Sequence, residues 1–307
     1  MVVVARALLY DVADPIHPRL VCRASNTGMH LRDGNSIAYT TVVSKHVVIV
    51  RRDLTTGVET RVAQLRVAPT PYYFYGATWS WDGSVEVYST SGAPNANGSV
   101  SVKVHLWSQG ADHVLYTIAS GAGGVESRWT FGPMLELSPD QSYVAISDHT
   151  FSITNGNLRI FSVADWRQKL VNGNSVSGGT WVANDRFVWA AGTGYLMQWT
   201  PTGGVKLLRS EHWYGVTSSS DGKWIAGTLL ADVFAPRVFI APMGTGRTFR
   251  TGLASNPEFV TPTVVWYGVE KLSANGYDPT APTGAFHALD VVHQTDKLVT
   301  FRAGESP

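Results

Sequence analysis

LELSPDQSYVAIS at 135–147 and ATWSWDGSVEVYS at 77–89 share one pattern: apolar or aromatic residues, a short polar turn carrying Asp, then apolar residues again. The phrase returns as MHLRDGNSIAYT at 29–40, GTWVANDRFVWAA at 179–191 and VTSSSDGKWIAG at 216–227. A weaker sixth copy, TVVWYGVEKLSA, lies at 263–274. With Asp33, Asp82, Asp140, Asp185, Asp221 and Gly268 as turn residues, successive copies stand 36 to 58 residues apart. Self-similarity at such a period is the signature of a repeat architecture.

Each copy reads as a tight β-hairpin, because Asp-Gly and Asn-Asp accept the positive φ of a two-residue turn while Val, Ile, Tyr and Trp flank it as strand formers. A second hairpin follows each one, with turns at 53–57 (DLTTG), 108–111 (SQGA), 164–167 (ADWR), 201–204 (PTGG), 243–246 (MGTG) and 293–296 (HQTD). Two hairpins per period make a four-stranded antiparallel blade, and a ring of blades is a β-propeller, an all-β fold. The first hairpin of each pair is richer in small and apolar residues and is expected to supply the inner strands.

Blades are expected at 25–67, 76–119, 131–172, 177–209, 215–253 and 260–302, within one domain spanning 1–307. Residues 6–23 read as an outer hairpin with no inner hairpin before it. Two ring counts remain. Six blades of ~51 residues, within the span of propeller repeats, would have the N-terminal segment lend a strand to the C-terminal blade and close the ring. Seven of ~44 residues would use 286–301 and 6–23 as the inner and outer pairs of a last blade. Six is carried forward, since 263–274 needs an outer partner and 286–301 supplies one.

LSPDQSYVAIS at 137–147 and SSSDGKWIAG at 218–227 resemble the S-P-D-G-K-x-I-A-F phrase of TolB-like, WD40-like β-propeller repeats, a phrase also present in the propellers of prolyl-oligopeptidase-like enzymes. Copies one, two and four lack the Ser-Pro, and copy six lacks the Asp. The resemblance implies a fold, and a binding platform as the default role, because the phrase marks a structural turn and carries no chemistry. No G-x-S-x-G elbow accompanies it.

Composition narrows the roles. Net charge is +1 with basic residues scattered, which argues against a nucleic-acid face built on clustered phosphate contacts. Charged residues make up 15%, against about 25% in ordinary domains, as hydroxyls and turns fill the surface instead. The one cysteine, Cys22, permits neither an internal disulfide nor a cysteine metal cluster, and leaves the compartment open, leaning extracellular or periplasmic. MVVVARALLYDV has no small-residue cleavage site and does not read as a signal peptide, and no apolar run approaches the ~18 residues of a membrane span. Neither a zincin helix, a Walker loop nor a dinucleotide fingerprint occurs, so no cofactor or metal is implied.

Long loops, expected on one rim, concentrate aromatic residues, whereas turns on the other rim are short; function gathers on such variable loops. The candidate ligand-binding residues are Tyr72, Tyr73, Tyr75, Trp129, Phe151, Trp213, Tyr214, Phe234 and Tyr277. Their rings suit a protein, peptide or glycan ligand. A competing reading places most of them in the packing between blades. Asp148-His149 and Glu211-His212 put carboxylates beside imidazoles on the same rim, the makings of a polysaccharide lyase or glycoside hydrolase. Adjacent strand residues point to opposite faces, however, which works against convergence of either pair.

Overall fold

The computed structural model describes residues 2–5, 8–23, 29–31, 36–66, 77–92, 96, 101–119, 134–147, 157–172, 176–229, 236–269, 272–273, 276–277 and 285–302. Every regular element among them is a β-strand. β1 (Val2–Ala5), β2 (Leu8–Asp11) and β3 (Arg19–Arg23) form a three-stranded antiparallel sheet. Four-stranded antiparallel sheets follow in simple meander order. The first holds β4 (Met29–Leu31), β5 (Ser36–Val43), β6 (His46–Asp53) and β7 (Glu59–Gln64); the second β8 (Ala77–Trp79), β9 (Val85–Ser91), β10 (Ser101–Ser108) and β11 (Ala111–Ala119). The third holds β12 (Met134–Leu137), β13 (Tyr143–Ser147), β14 (Leu158–Ser162) and β15 (Gln168–Asn172); the fourth β16 (Val176–Ala183), β17 (Arg186–Ala191), β18 (Leu196–Thr200) and β19 (Gly204–Arg209).

The remaining strands are β20 (Trp213–Ser218), β21 (Trp224–Leu229), β22 (Arg237–Pro242), β23 (Phe249–Phe259), β24 (Val264–Val269), β25 (Leu272–Ser273), β26 (Gly276–Tyr277), β27 (Phe286–Asp290) and β28 (Thr295–Leu298). β25 and β26 pair only with each other, while the other seven form one sheet in chain order. The 11-residue β23 joins what are in effect two four-stranded sheets: Arg250 and Leu253 face β22, whereas Ala254 to Phe259 face β24. Two compact units result, one of residues 24–176 and one of 1–23 with 177–307.

All six second-hairpin turns connect paired strands as expected. The sixth copy of the opening phrase does not. Gly268 is no turn but lies inside β24, opposite Phe286 of β27, and the hairpin bends instead at 260–263. There the Thr261 hydroxyl accepts the amides of Thr263 (3.2 Å) and Val264 (2.9 Å), a side-chain substitute for the missing Gly or Asp. Nor do residues 6–23 lend a strand to the last sheet or form its outer pair: with β1 they make a sheet of their own, and 286–298 supplies the outer strands of the sheet begun at Ala254.

The repeated phrase has a specific construction. In three copies a buried serine stands two residues before the Asp: Ser80, Ser138 and Ser219. Each hydroxyl donates to the Asp (2.7, 2.8 and 2.7 Å) and accepts the amide five residues on, of Val85, Tyr143 or Trp224 (2.8, 2.9 and 3.0 Å). Burial pushes the Asp82 and Asp140 carboxyls up, but hydrogen bonds from Ser84 and Ser142 outweigh it and hold them below their ordinary range. The Ser219 hydrogen bond lowers Asp221 likewise. The position after the Asp is left-handed throughout, Gly83 at φ 71°, Gln141 at 64° and Gly222 at 67°. Only Gln141 carries a Cβ into that strained region. Gln141→Gly is therefore expected to raise the unfolding free energy by about 0.5–1 kcal/mol, net of glycine's entropy in the unfolded chain, as a higher urea midpoint at unchanged slope. A lower midpoint would refute this account of the turn.

Apolar faces of neighbouring sheets fill the cores. In the unit of 24–176, Val87, Leu106, Val144 and Ile146 are buried together between the second and third sheets. Trp166, in the left-handed region at φ 57°, reaches from the third sheet to donate to Ser108 (3.0 Å) and stacks on His113 at 3.6 Å. In the other unit the N-terminal sheet packs on the last one. Tyr10, Trp266 and Phe301 meet ring to ring at 5.5–6.0 Å. The Trp266 indole donates to the Pro15 carbonyl (3.0 Å), and the Thr300 amide to that of Ile16 (2.8 Å).

Candidate functional site

Tyr72, Tyr73, Tyr75, Trp129, Phe151, Phe234, Asp148 and His149 lie outside the described residues. Tyr277 stands in β26 opposite Leu272. Four expected residues remain, all from the segment 211–214, and the structure separates them.

Trp213 opens β20 with its side chain fully buried, against Phe239 at 6.5 Å and among Leu196, Ile225 and Val188. Expected as a ligand contact, it is core instead, because successive strand residues point to opposite faces and the apolar interior takes the indole. By the same rule Tyr214 points out, 43% exposed. Glu211 is engaged structurally: it accepts from Thr248 (3.2 Å) and pairs with Arg209 (3.4 Å), whose guanidinium also donates to the carbonyls of Pro242 (2.8 Å) and Gly244 (3.1 Å). Burial pushes the Glu211 carboxyl up, yet these hydrogen bonds and the Arg209 charge bring it below its ordinary range. Its imidazole neighbour turns elsewhere. The exposed His212 ring meets Tyr195 edge to face, centroids 6.1 Å apart, so Glu211 and His212 form no acid–base pair.

Tyr195 belongs to the same surface and was not singled out by the sequence. It is 42% exposed and follows the turn that ends at Gly194. Gly194 has φ 83°, and a Cβ there would stand 2.9–3.0 Å from His212; its carbonyl accepts the Trp213 amide at 2.6 Å. Glycine thus lets the two segments touch, which brings Tyr195, His212 and Tyr214 to the surface around a buried tryptophan. The only sequence signal is a Tyr directly after a Gly-Thr-Gly turn.

A tyrosine–carboxylate device recurs in three sheets, and in two of them a histidine joins it. Tyr88 on β9 donates to Asp112 on β11 (3.1 Å), with His105 of β10 stacked on the phenol at 4.8 Å and 3.2 Å from the same carboxylate. In the last sheet Tyr267, His287 and Asp296 repeat this, at 2.7 Å from phenol to carboxylate and 3.1 Å from imidazole to carboxylate. In the first sheet Tyr39 donates to Glu59, which Arg52 also meets at 3.0 Å, and no imidazole takes part. Each device ties the outermost strand to the second. Burial, and then the facing carboxylate, lift the Tyr88 and Tyr267 phenols far above their ordinary range, so both remain donors.

Two carboxyls stand on first strands of their sheets: burial lifts Glu136 of β12 to about 8, and surrounding protein lifts Glu258 of β23 to about 7 although its surface meets solvent. Glu86 is buried and ionically satisfied, accepting the Arg66 amide with both oxygens (2.9 and 3.0 Å), while the Arg66 guanidinium lies 3.1 Å over Trp107. Among the described residues no three His, Cys, Asp or Glu side chains converge as a metal site would require.

No protein-family model matches the chain, and no curated protein sequence does. Solved structures do resemble it. One, from a structural and mechanistic study of two prolyl endopeptidases, superposes with a TM-score of 0.57 at 14% identity, over 95% of this chain and 46% of that one. An uncharacterized protein from Listeria monocytogenes EGD-e gives 0.51 at 7% identity, over 88% and 80% of the two chains. TolB from Acinetobacter baumannii gives 0.46 at 16%, over 95% and 75%. The chain therefore spans under half the length of the prolyl endopeptidase it resembles. At these identities the likeness shows the fold, and the fold is a β-propeller of antiparallel sheets.

Proposed function

We propose that this β-propeller is a recognition domain, and that Tyr195, His212 and Tyr214 form part of the surface with which it binds a protein, peptide or glycan. The observation that carries the reading is the split at Trp213. A fully buried indole fixes the segment while Tyr214 and, across Gly194, Tyr195 are held more than two-fifths exposed. Rigid aromatic rings with polar edges lose little entropy on contact and supply large contact area, which is why they dominate binding hot spots. Glu211 and Arg209 serve this surface as buttresses, since their hydrogen bonds run to Thr248 and to carbonyls of the 242–246 turn.

The test compares glycan-array and peptide-array binding of the full chain with that of a Tyr195→Ala/Tyr214→Ala double variant. Both sites are exposed, so the variant is expected to melt within a few degrees of the parent while losing at least about 10-fold in affinity for its best ligand. Undiminished binding to every ligand found would remove this surface from the function.

A further inference from the structure

One of the three strand-tying devices has parts the others lack. Thr90, two residues beyond Tyr88 on β9, places its hydroxyl 3.0 Å from His105 Nε2, while His105 Nδ1 faces Asp112 Oδ2 at 3.2 Å. An ionised carboxylate only accepts, so the tautomer that matches it carries the hydrogen on Nδ1 and leaves the Nε2 lone pair toward the Thr90 hydroxyl. Tyr88 fixes the far side of the chain by donating to the same Asp112 oxygen (3.1 Å) and stacking on the imidazole. Lys103 stands directly opposite Thr90 in the β9–β10 ladder and is exposed, as Thr90 is. Side chains so paired share a face, with Cβ atoms about 5 Å apart. A hydroxyl, a base, an orienting carboxylate and a cation therefore occupy one accessible patch of one sheet.

The other two devices show what strand-tying alone needs. The last sheet has Val269 in the place of Thr90, and the first has Thr41 there but Val50 opposite its tyrosine, where the other two carry the imidazole. A valine side chain can neither take a proton nor attack, so of these three sheets only the second combines a nucleophile with a base. Hydroxyl, imidazole and carboxylate in series are the arrangement by which a weak oxygen nucleophile is activated, recognised by geometry rather than by fold.

We propose that Thr90, His105 and Asp112 form an acyl-transfer site that cleaves small, unhindered carboxylic esters, with Lys103 beside the developing oxyanion. Thr90 Oγ1 bonds to the ester carbonyl carbon as its proton passes to His105 Nε2. The tetrahedral intermediate collapses by breaking the bond to the alcohol oxygen, which takes that proton and leaves. Water, deprotonated by the same nitrogen, then attacks the acyl-threonine, releasing the carboxylic acid and restoring the hydroxyl. Ester and water give alcohol and acid, and no other reactant enters.

The full chain would be treated with p-nitrophenyl acetate, following nitrophenol release, and separately with a fluorophosphonate, mapping the adduct by mass spectrometry. The expected results are a single adduct on Thr90 and hydrolysis about 100-fold faster than that of Thr90→Val, the range of general-base assistance. Thr90→Val keeps the size and strand preference of an exposed residue, and a matching thermal melt shows that it is folded. Thr90→Ser, with its less hindered hydroxyl, is expected to match or exceed the parent. Equal hydrolysis by the parent and Thr90→Val, an adduct confined to other residues, or an inert Thr90→Ser alongside an inert parent would each overturn the proposal.

Discussion

An alanine in place of Trp266 is expected to reduce the unfolding free energy by about 3–5 kcal/mol, the loss typical of a large aromatic removed from a core. Trp266 is 4% exposed and touches both chain ends: Tyr10 at 6.0 Å, Phe301 at 5.7 Å, and the Pro15 carbonyl through its indole nitrogen at 3.0 Å. The cavity it would leave lies between the N-terminal and last sheets, where Val12, Val260, Ala288 and Val299 pack in the same cluster. Trp266→Phe separates the contributions, keeping most of the ring and losing the one hydrogen bond, at about 1 kcal/mol beyond the small change in packing. Urea titrations of the three proteins decide it. A midpoint for Trp266→Ala that corresponds to less than about 1 kcal/mol would mean the two sheets do not depend on this contact.

Trp213→Ala is expected to be as severe, again about 3–5 kcal/mol, whereas Tyr214→Ala next to it should stay within about 0.5 kcal/mol of the parent. The contrast tests the reading of the candidate surface directly. Trp213 is buried against Phe239 and Tyr214 is exposed, so the first change opens a hole and the second removes only surface. A Trp213→Ala protein that melts like the parent but no longer binds its ligand would return the indole to the binding surface and overturn its assignment to the core.

The polar turns made most of the fold legible. A buried serine bonded to an Asp two residues on leaves a local imprint that needs no distant partner, and Ser80, Ser138 and Ser219 each show it. The bend at 260–263 escaped because a single hydroxyl, that of Thr261, performs the work, and Gly268 imitates a turn from inside a strand. The N-terminal sheet was legible only in part, since Val2–Ala5 carries no turn signal of its own. For the site, composition pointed to the segment 211–214 but could not say which way each side chain faces. That choice belongs to the register of β20 against β21, with Trp213 opposite Leu229. Tyr195 gained its place from a neighbour 17 residues away, across a glycine whose missing Cβ leaves the space. The Thr90–His105–Asp112 series spans three strands and became visible only once their ladder was fixed.

The strand from Phe249 to Phe259 belongs to two sheets at once, with no loop between its halves. Among the described residues no other strand is shared between two repeats in this way. Between Leu253 and Ala254 there is only a peptide bond, already committed on both sides. A rearrangement that divided the chain between Leu253 and Ala254 would break two sheets at once. The last two repeats are thus one hydrogen-bonded unit that cannot be parted at that point without loss to both.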